Sequence, residues 1–366
     1  MRSLVFICLV AMLFSVAGCN KSKFASSTAT PTPSPAPPPG PGPSGQGTRN
    51  VDNTQVVSTP SNKLDILLIV DDSNSMLADN QKLAERLADF VNTLQSSSID
   101  WQMCTTVTRA LTVNGSPAWG ASIYWSSYTP ASGIPGWVLR PTPNLSTIFT
   151  NTINNIGAGW AGTDDERGIK AAYWHMYNGD LNYSNHSKCY RADAALAAII
   201  VSDEDVRSVG GDPSAQYYAN EYKALENDDL PATLTQQVRD VFGMSKRFTF
   251  NSIIVKPGDS TCMTAQDSGG AKSHYGTKYN ELSNMTGGGV GSICDSNYST
   301  NLNLFADMIQ DSISSIALEC APVGGVQVTV TPAVSGLTTS VQGSNLVFSP
   351  NVPVGRTVNM KYKCPL

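Results

Sequence analysis

From residue 64 onward, short aliphatic runs alternate with stretches of helical spacing. Leu64 to Val70 is a continuous apolar run, which predicts a strand buried on both faces. Leu83, Leu87, Phe90, Val91 and Leu94 repeat at helical spacing and predict a helix of about five turns. "IDWQMCTTVTR" (99–109) reads as a second strand. Residues 110–143, rich in Gly, Pro, Ser, Trp and Tyr, read as an elaborated loop around a strand near 137–140. A helix near 144–155 precedes "GAGWAGTDDERGIKAAYWHMY", whose own helix is expected to start close to Asp164. "ALAAIIVSDED" (195–205) and "RFTFNSIIV" (247–255) supply further strands, and Leu302, Phe305, Met308, Ile309, Ile313 and Ile316 mark a closing helix. Strands and helices alternating this way predict an α/β fold over residues 62–319: a doubly wound, mainly parallel sheet with helices on both faces.

The pattern changes after Cys320. Val326, Val328 and Val330, then Leu346 and Phe348, then Val358, Met360 and Tyr362 alternate with polar residues, so residues 320–366 read as a small antiparallel β unit. It is too short for a strong core of its own, and a Cys320 to Cys364 staple would support it. At the other end, residues 19–61 hold eight prolines between Pro31 and Pro43 and almost no large apolar side chain. They read as a semi-rigid tether. Residues 1–18 carry one charge at Arg2, an apolar run from Leu4 to Phe14, then small residues, the layout of a cleaved secretory signal.

An exported chain changes how the cysteines read. Cys8 leaves with the signal, and six cysteines remain beyond Cys19: Cys104, Cys189, Cys262, Cys294, Cys320 and Cys364. An even number outside the cytosol implies three disulfides, and about 15 pairings are open to six cysteines. The pairing expected is Cys262 with Cys294, Cys320 with Cys364, and Cys104 with Cys189. Zinc is disfavoured, because no pair is spaced C-x-x-C and only His175, His186 and His274 are present. Without residues 1–18 the chain has 23 basic residues (24 less Arg2) against 29 acidic ones, and no basic cluster, so nucleic acid is not an expected partner.

Three separated segments place oxygen donors at predicted carboxyl ends of strands, where ligands bind in such sheets. Asp71, Ser73 and Ser75 follow the first strand in "DDSNSM"; Thr163 opens "GTDDERG"; Asp203 lies in "SDED". A hard divalent cation takes such carboxylate and hydroxyl oxygens together with water. Helix capping is the structural alternative for Asp72, Ser73 and Ser75 and for Thr163, and both roles are compatible.

In their order along a matching α/β pattern these elements resemble the von Willebrand factor type A (VWA) domain and its metal-ion-dependent adhesion site. The resemblance covers roughly residues 62–319. It implies Mg²⁺, or Mn²⁺ or Ca²⁺, with Ser73 and Ser75 as direct ligands and Asp71 and Asp203 as direct or outer ligands. Thr163 would ligate when a partner is bound. Two departures stand out: Thr163 falls unusually far after Asp71, and the distal element is Ser-Asp-Glu-Asp where many members have Thr-Asp-Gly. Val16-Ala17-Gly18-Cys19 likewise resembles the lipobox of bacterial lipoproteins. It implies acylation of Cys19 and, with Asn20 in place of the retention aspartate, the outer membrane, on its periplasmic or surface face.

The resemblance implies binding of a protein or surface ligand whose Asp or Glu oxygen completes the metal sphere, with adhesion as the function. A structural scaffold with a static metal site is the alternative, and a metal-dependent hydrolase a lesser one. Catalysis is not expected: "TGGGVG" (286–291) lacks the lysine of a phosphate loop, and no nucleophile motif with a partnered histidine is visible. Tyr124, Trp125, Tyr128 and Trp137 are candidate aromatic anchors for a partner, or pins for their own loop.

Overall fold

The computed structural model describes residues 47–57, 62–96, 98–158, 165–180, 188–207, 210, 223–243, 246–268, 272–313, 315–350, 352–353 and 355–366. The expected signal, Cys19, the proline-rich stretch, Thr163 and His186 lie outside the described residues.

In chain order the elements are β1 (Thr48–Val56), β2 (Lys63–Val70), α1 (Leu77–Ser96), β3 (Asp100–Val107), β4 (Leu111–Val113), β5 (Ser116–Ala118), α2 (Leu145–Ala158), α3 (Gly168–Asp180), β6 (Ala195–Ser202), α4 (Pro231–Phe242), β7 (Phe248–Ile254), α5 (Ser260–Asp267), α6 (Thr277–Thr286), β8 (Val290–Ser292), α7 (Ser299–Ile313), β9 (Ile316–Ala317), β10 (Gln327–Thr331), β11 (Thr338–Gln342), β12 (Asn345–Ser349) and β13 (Thr357–Pro365). Strands β3-β2-β6-β7-β8 form a sheet in which every pairing is parallel.

Side chains of β2, β6 and β7 feed two cores, one on each face. Leu64, Ile66, Leu68 and Val70 of β2 pack with the apolar stripe of α1 and with α2 and α7. Leu67 and Ile69 point the other way and pack with α3, α4 and α6. Helices therefore cover both faces, which is why the strands read as unbroken apolar runs. The 110–143 region forms the β4–β5 hairpin and returns Leu139 to pair with Met103 of β3. Trp125 is buried there, its indole N–H donating to the Met103 and Trp137 carbonyls, with Phe149 edge-on at 5.6 Å.

The remaining strands make two antiparallel sheets, β1-β13-β10 and β11-β12-β9, around a core of Val51, Leu318, Val330, Leu346, Phe348, Val358, Met360 and Tyr362. This unit extends past the expected boundaries. β1 lies inside 19–61, expected as tether, and pairs over its whole length with β13. Ile316, expected in the closing helix, pairs with Leu346 as part of β9. β1 is rich in Thr, Asn and Gln and buries only Val51, so it satisfies its backbone through β13 while contributing little apolar surface.

The β unit docks at the amino ends of the parallel strands. Asn345 Nδ2 donates to the Thr286 carbonyl at 2.8 Å, and Arg239 Nη2 to the Leu318 carbonyl at 3.4 Å. Gly287, at φ +71° after α6, lets the turn before β8 approach the β11–β12 turn; a Cβ there would meet the Gln342 carbonyl oxygen at 2.4 Å. The glycines of "TGGGVG" thus serve a helix end and a close packing.

All three expected disulfides form: Cys104–Cys189, Cys262–Cys294 and Cys320–Cys364. The last closes a separation of 44 residues around the β unit. Loss of such a loop constraint costs about 4 kcal/mol in the chain-entropy model. Replacing Cys320 and Cys364 with Ser should shift the denaturant midpoint of the chain accordingly; an unchanged midpoint would show that the β1–β13 pairing holds the unit without the staple.

Candidate functional site

β2 lies between β3 and β6, and the connections from these strands depart to opposite faces: α1 packs on one and α4 on the other. A crevice opens outside the carboxyl ends of strands at such a reversal. Asp71 follows β2 directly and Asp203 follows β6, so the topology alone brings them to one place.

Local hydrogen bonds organise the set. Asp71 Oδ1 accepts from Ser73 N at 2.9 Å, and Oδ2 accepts from Ser202 Oγ at 2.6 Å. Ser73 Oγ and Ser75 Oγ are 2.9 Å apart, and Ser75 Oγ donates to Asp203 Oδ1 at 3.2 Å. Asn80, from α1, donates Nδ2 to the Asp71 carbonyl at 2.8 Å. Ser73 precedes the turn Asn74–Met76, yet its side chain makes no capping bond. Asp72 Oδ2 accepts from Arg109 Nε at 2.6 Å. Four of the five predicted site residues thus converge, and the fifth, Thr163, lies outside the described residues.

Sequence reasoning missed Glu166. It is buried and faces Glu204, with Asp71 near enough to act on it electrostatically. The segment that carries Glu166 is tied on both sides. Arg167 N donates to the Thr108 carbonyl at 2.7 Å, and Arg207 N to the Glu166 carbonyl at 2.7 Å. Arg167 grips Asp229 with two bonds of 2.9 and 2.7 Å, Arg207 bonds Asp165 at 3.0 Å, and the Trp119 ring lies 5.1 Å from the Arg167 guanidinium. A bidentate arginine in a buried setting fixes geometry better than a lysine would.

Crowding of buried carboxyls sets the electrostatics. Burial pushes Asp71 up to about 6, against the pull of the Ser202 and Ser73 bonds. Asp203 is raised well above the usual carboxylate range by burial and then by the Asp71 charge. Glu166 is likewise raised by burial, by Glu204 and by Asp71. Asp205, buried but bonded by the Lys278 N–H, rises to about 7. Among the described residues no group of three or more His, Cys, Asp or Glu side chains is arranged to hold a metal ion. The convergent set instead mixes two carboxylates with two serine hydroxyls, an all-oxygen set suited to a hard cation that keeps some water.

Of the aromatic candidates, Tyr124 is exposed at 63%, edge-on to Trp137 at 5.3 Å, whereas Trp125 pins the loop.

No protein-family model matches the chain, and no curated protein matches it. Among solved structures, it is similar to the pilus adhesin SpaC of Lactobacillus rhamnosus GG at 9% identity, over 87% of this chain and 41% of that one, with a TM-score of 0.35. It is also similar to proximal thread matrix protein 1 of the mussel byssus at 10% identity, over 70% of this chain and 49% of that one, with a TM-score of 0.37. The chain spans under half the length of either structure.

A carboxyl with a raised folded-state pKa binds its proton more tightly folded than unfolded, so stability falls as pH rises between the two values. For Asp71 this window runs from 3.8 to about 6, and a shift of about two units corresponds to roughly 3 kcal/mol. In chelator, the melting temperature should therefore fall between about pH 4 and pH 7, and Asp71→Asn should flatten the slope. A melting temperature that rises across this range would contradict the assignment.

Proposed function

We propose that this chain is a VWA-type binding protein of the bacterial outer membrane, anchored by lipid at Cys19. It engages a protein or surface ligand through a divalent cation held by Asp71, Ser73, Ser75, Asp203 and Thr163. The observation that carries this reading is the hydrogen-bonded run from Asp71 through Ser73 and Ser75 to Asp203 at the sheet's reversal point. Two serine hydroxyls beside buried, mutually repelling carboxylates make a poor hydrophobic core and a good oxygen cradle. Mg²⁺ is the first choice, with Mn²⁺ and Ca²⁺ as alternatives.

The chemistry of recognition follows from charge. The bound cation supplies an electrophilic centre that neutral serine oxygens leave incompletely compensated, so an acidic oxygen from an Asp or Glu of the ligand is the favoured addition. On this side of the sheet Ser73 and Ser75 are the partly exposed members of the set, while Asp71 and Asp203 stay buried behind them. With the serines partly exposed and the carboxylates buried, a cation held there would keep a coordination position open to solvent. Arg109, held by Asp72 just beside the set, adds positive charge near an incoming carboxylate.

Calorimetry on the purified chain should show divalent-cation binding that Asp71→Ala abolishes; no binding of Mg²⁺, Mn²⁺ or Ca²⁺ would end the metal reading. Capture of a partner from envelope extracts should be lost on chelation, and capture that survives chelation would make the metal structural. Cys19→Ser should release the protein from the membrane fraction, whereas unchanged fractionation would refute the lipid anchor.

A further inference from the structure

Two buried oxygen-bearing side chains flank Asp71 without belonging to the set above. Asn80 is committed through Nδ2 to the Asp71 carbonyl, but its Oδ1 is buried and has no hydrogen-bond partner among the described residues. Thr108 is fully buried, and its Oγ1 also has no partner there. The backbone of Thr108 fixes its place: its N–H donates to the Val70 carbonyl at 3.2 Å, and its carbonyl accepts from Arg167 N at 2.7 Å. It is therefore wedged between the residue before Asp71 and the residue after Glu166, and its neighbour Arg109 pairs with Asp72.

Packing does not explain this choice of residue. Valine has the shape of threonine and would bury there without an unmet hydroxyl, whereas a buried polar atom without a partner costs stability. Such atoms in a native fold call for a bound partner, and here both lie beside one set of cation donors.

We infer that Thr108 and Asn80 are positioning residues of the cation site, whose free oxygens hold waters carried by the bound divalent ion. This rests on the cation reading above. A small hard cation retains several waters, and groups that hydrogen-bond its ligands tune affinity almost as strongly as the ligands do. Asn80 Oδ1 can only accept a hydrogen bond and Thr108 Oγ1 can donate or accept, so each can take a hydrogen bond from a water that the ion would carry. Asn80 has a second effect, because the same side chain holds the Asp71 backbone.

The test uses the full chain with Thr108→Val and Thr108→Ser, MgCl₂ calorimetry, and thermal melting in chelator. Thr108→Val should weaken Mg²⁺ binding about 10- to 100-fold while leaving the metal-free melting temperature unchanged or raised, and Thr108→Ser should bind Mg²⁺ like the parent. Parent-like binding by Thr108→Val overturns the inference, with or without a lowered metal-free melting temperature. Should Thr108→Val lose both affinity and stability, Thr108→Ser decides: retained affinity supports the positioning role, and lost affinity overturns it. A parent chain that binds no divalent cation defeats the cation reading itself, an outcome distinct from parent-like binding by the valine variant.

Discussion

The site depends on keeping like-charged carboxyls buried side by side. Asp71, Asp203, Glu166 and Glu204 are all almost fully buried, and each of Asp71, Asp203 and Glu166 is raised in part by a neighbouring acid. Such a group cannot ionise fully unaided; it must take up protons or a cation. Two features keep the repulsion from prying the loops apart. Hydrogen bonds from Ser73 N and Ser202 Oγ hold both Asp71 oxygens in place, each oxygen keeping a further acceptor site, and the Arg167–Asp229 grip with Arg207 anchors the segment bearing Glu166.

The sheet supplies the rigid frame for this. β2 is flanked by parallel partners over almost its full length, so the backbone entering Asp71 is held from both sides. The Asp71 N–H continues the ladder to the Val201 carbonyl, and Thr108 N does the same on the β3 side through Val70. The acidic loops therefore begin at points the ladder has already fixed. Loops positioned by a rigid scaffold are where binding residues concentrate.

Much of this was legible in the sequence, for identifiable reasons. β2, β6, β7 and α1 announced themselves because both-face burial produces unbroken apolar runs and one-face burial a helical stripe. β1 was hidden because only Val51 is buried and its stability comes from pairing with β13, more than 300 residues away by its register of Thr48 with Pro365. α4 was hidden because its buried face is only Pro231, Leu234, Gln237 and Val238, and β8 because it has three residues. In the site, Asp71, Ser73, Ser75 and Asp203 were readable from spacing and strand ends. Glu166 was not: in "TDDERG" it looks like any acid at a helix start, and only contact with Glu204, from another strand's loop, makes it part of the cluster.

The β unit gains its meaning from where it docks. Asn345, Leu318 and Gln342 meet Thr286, Arg239 and Gly287 at the amino ends of β7 and β8, whereas Asp71 and Asp203 lie at the carboxyl ends of β2 and β6. All five strands are parallel, so these are opposite edges of one sheet. β1 leads from Gly47, whose carbonyl accepts from Leu366 N at 2.8 Å, so the first and last of the described residues meet in the β unit. A covering at the amino edge leaves the carboxyl edge free of it. The same β1 strand that closes the β unit precedes β2, which runs from the covered amino end to Val70, just before Asp71, and so joins the two ends of the sheet.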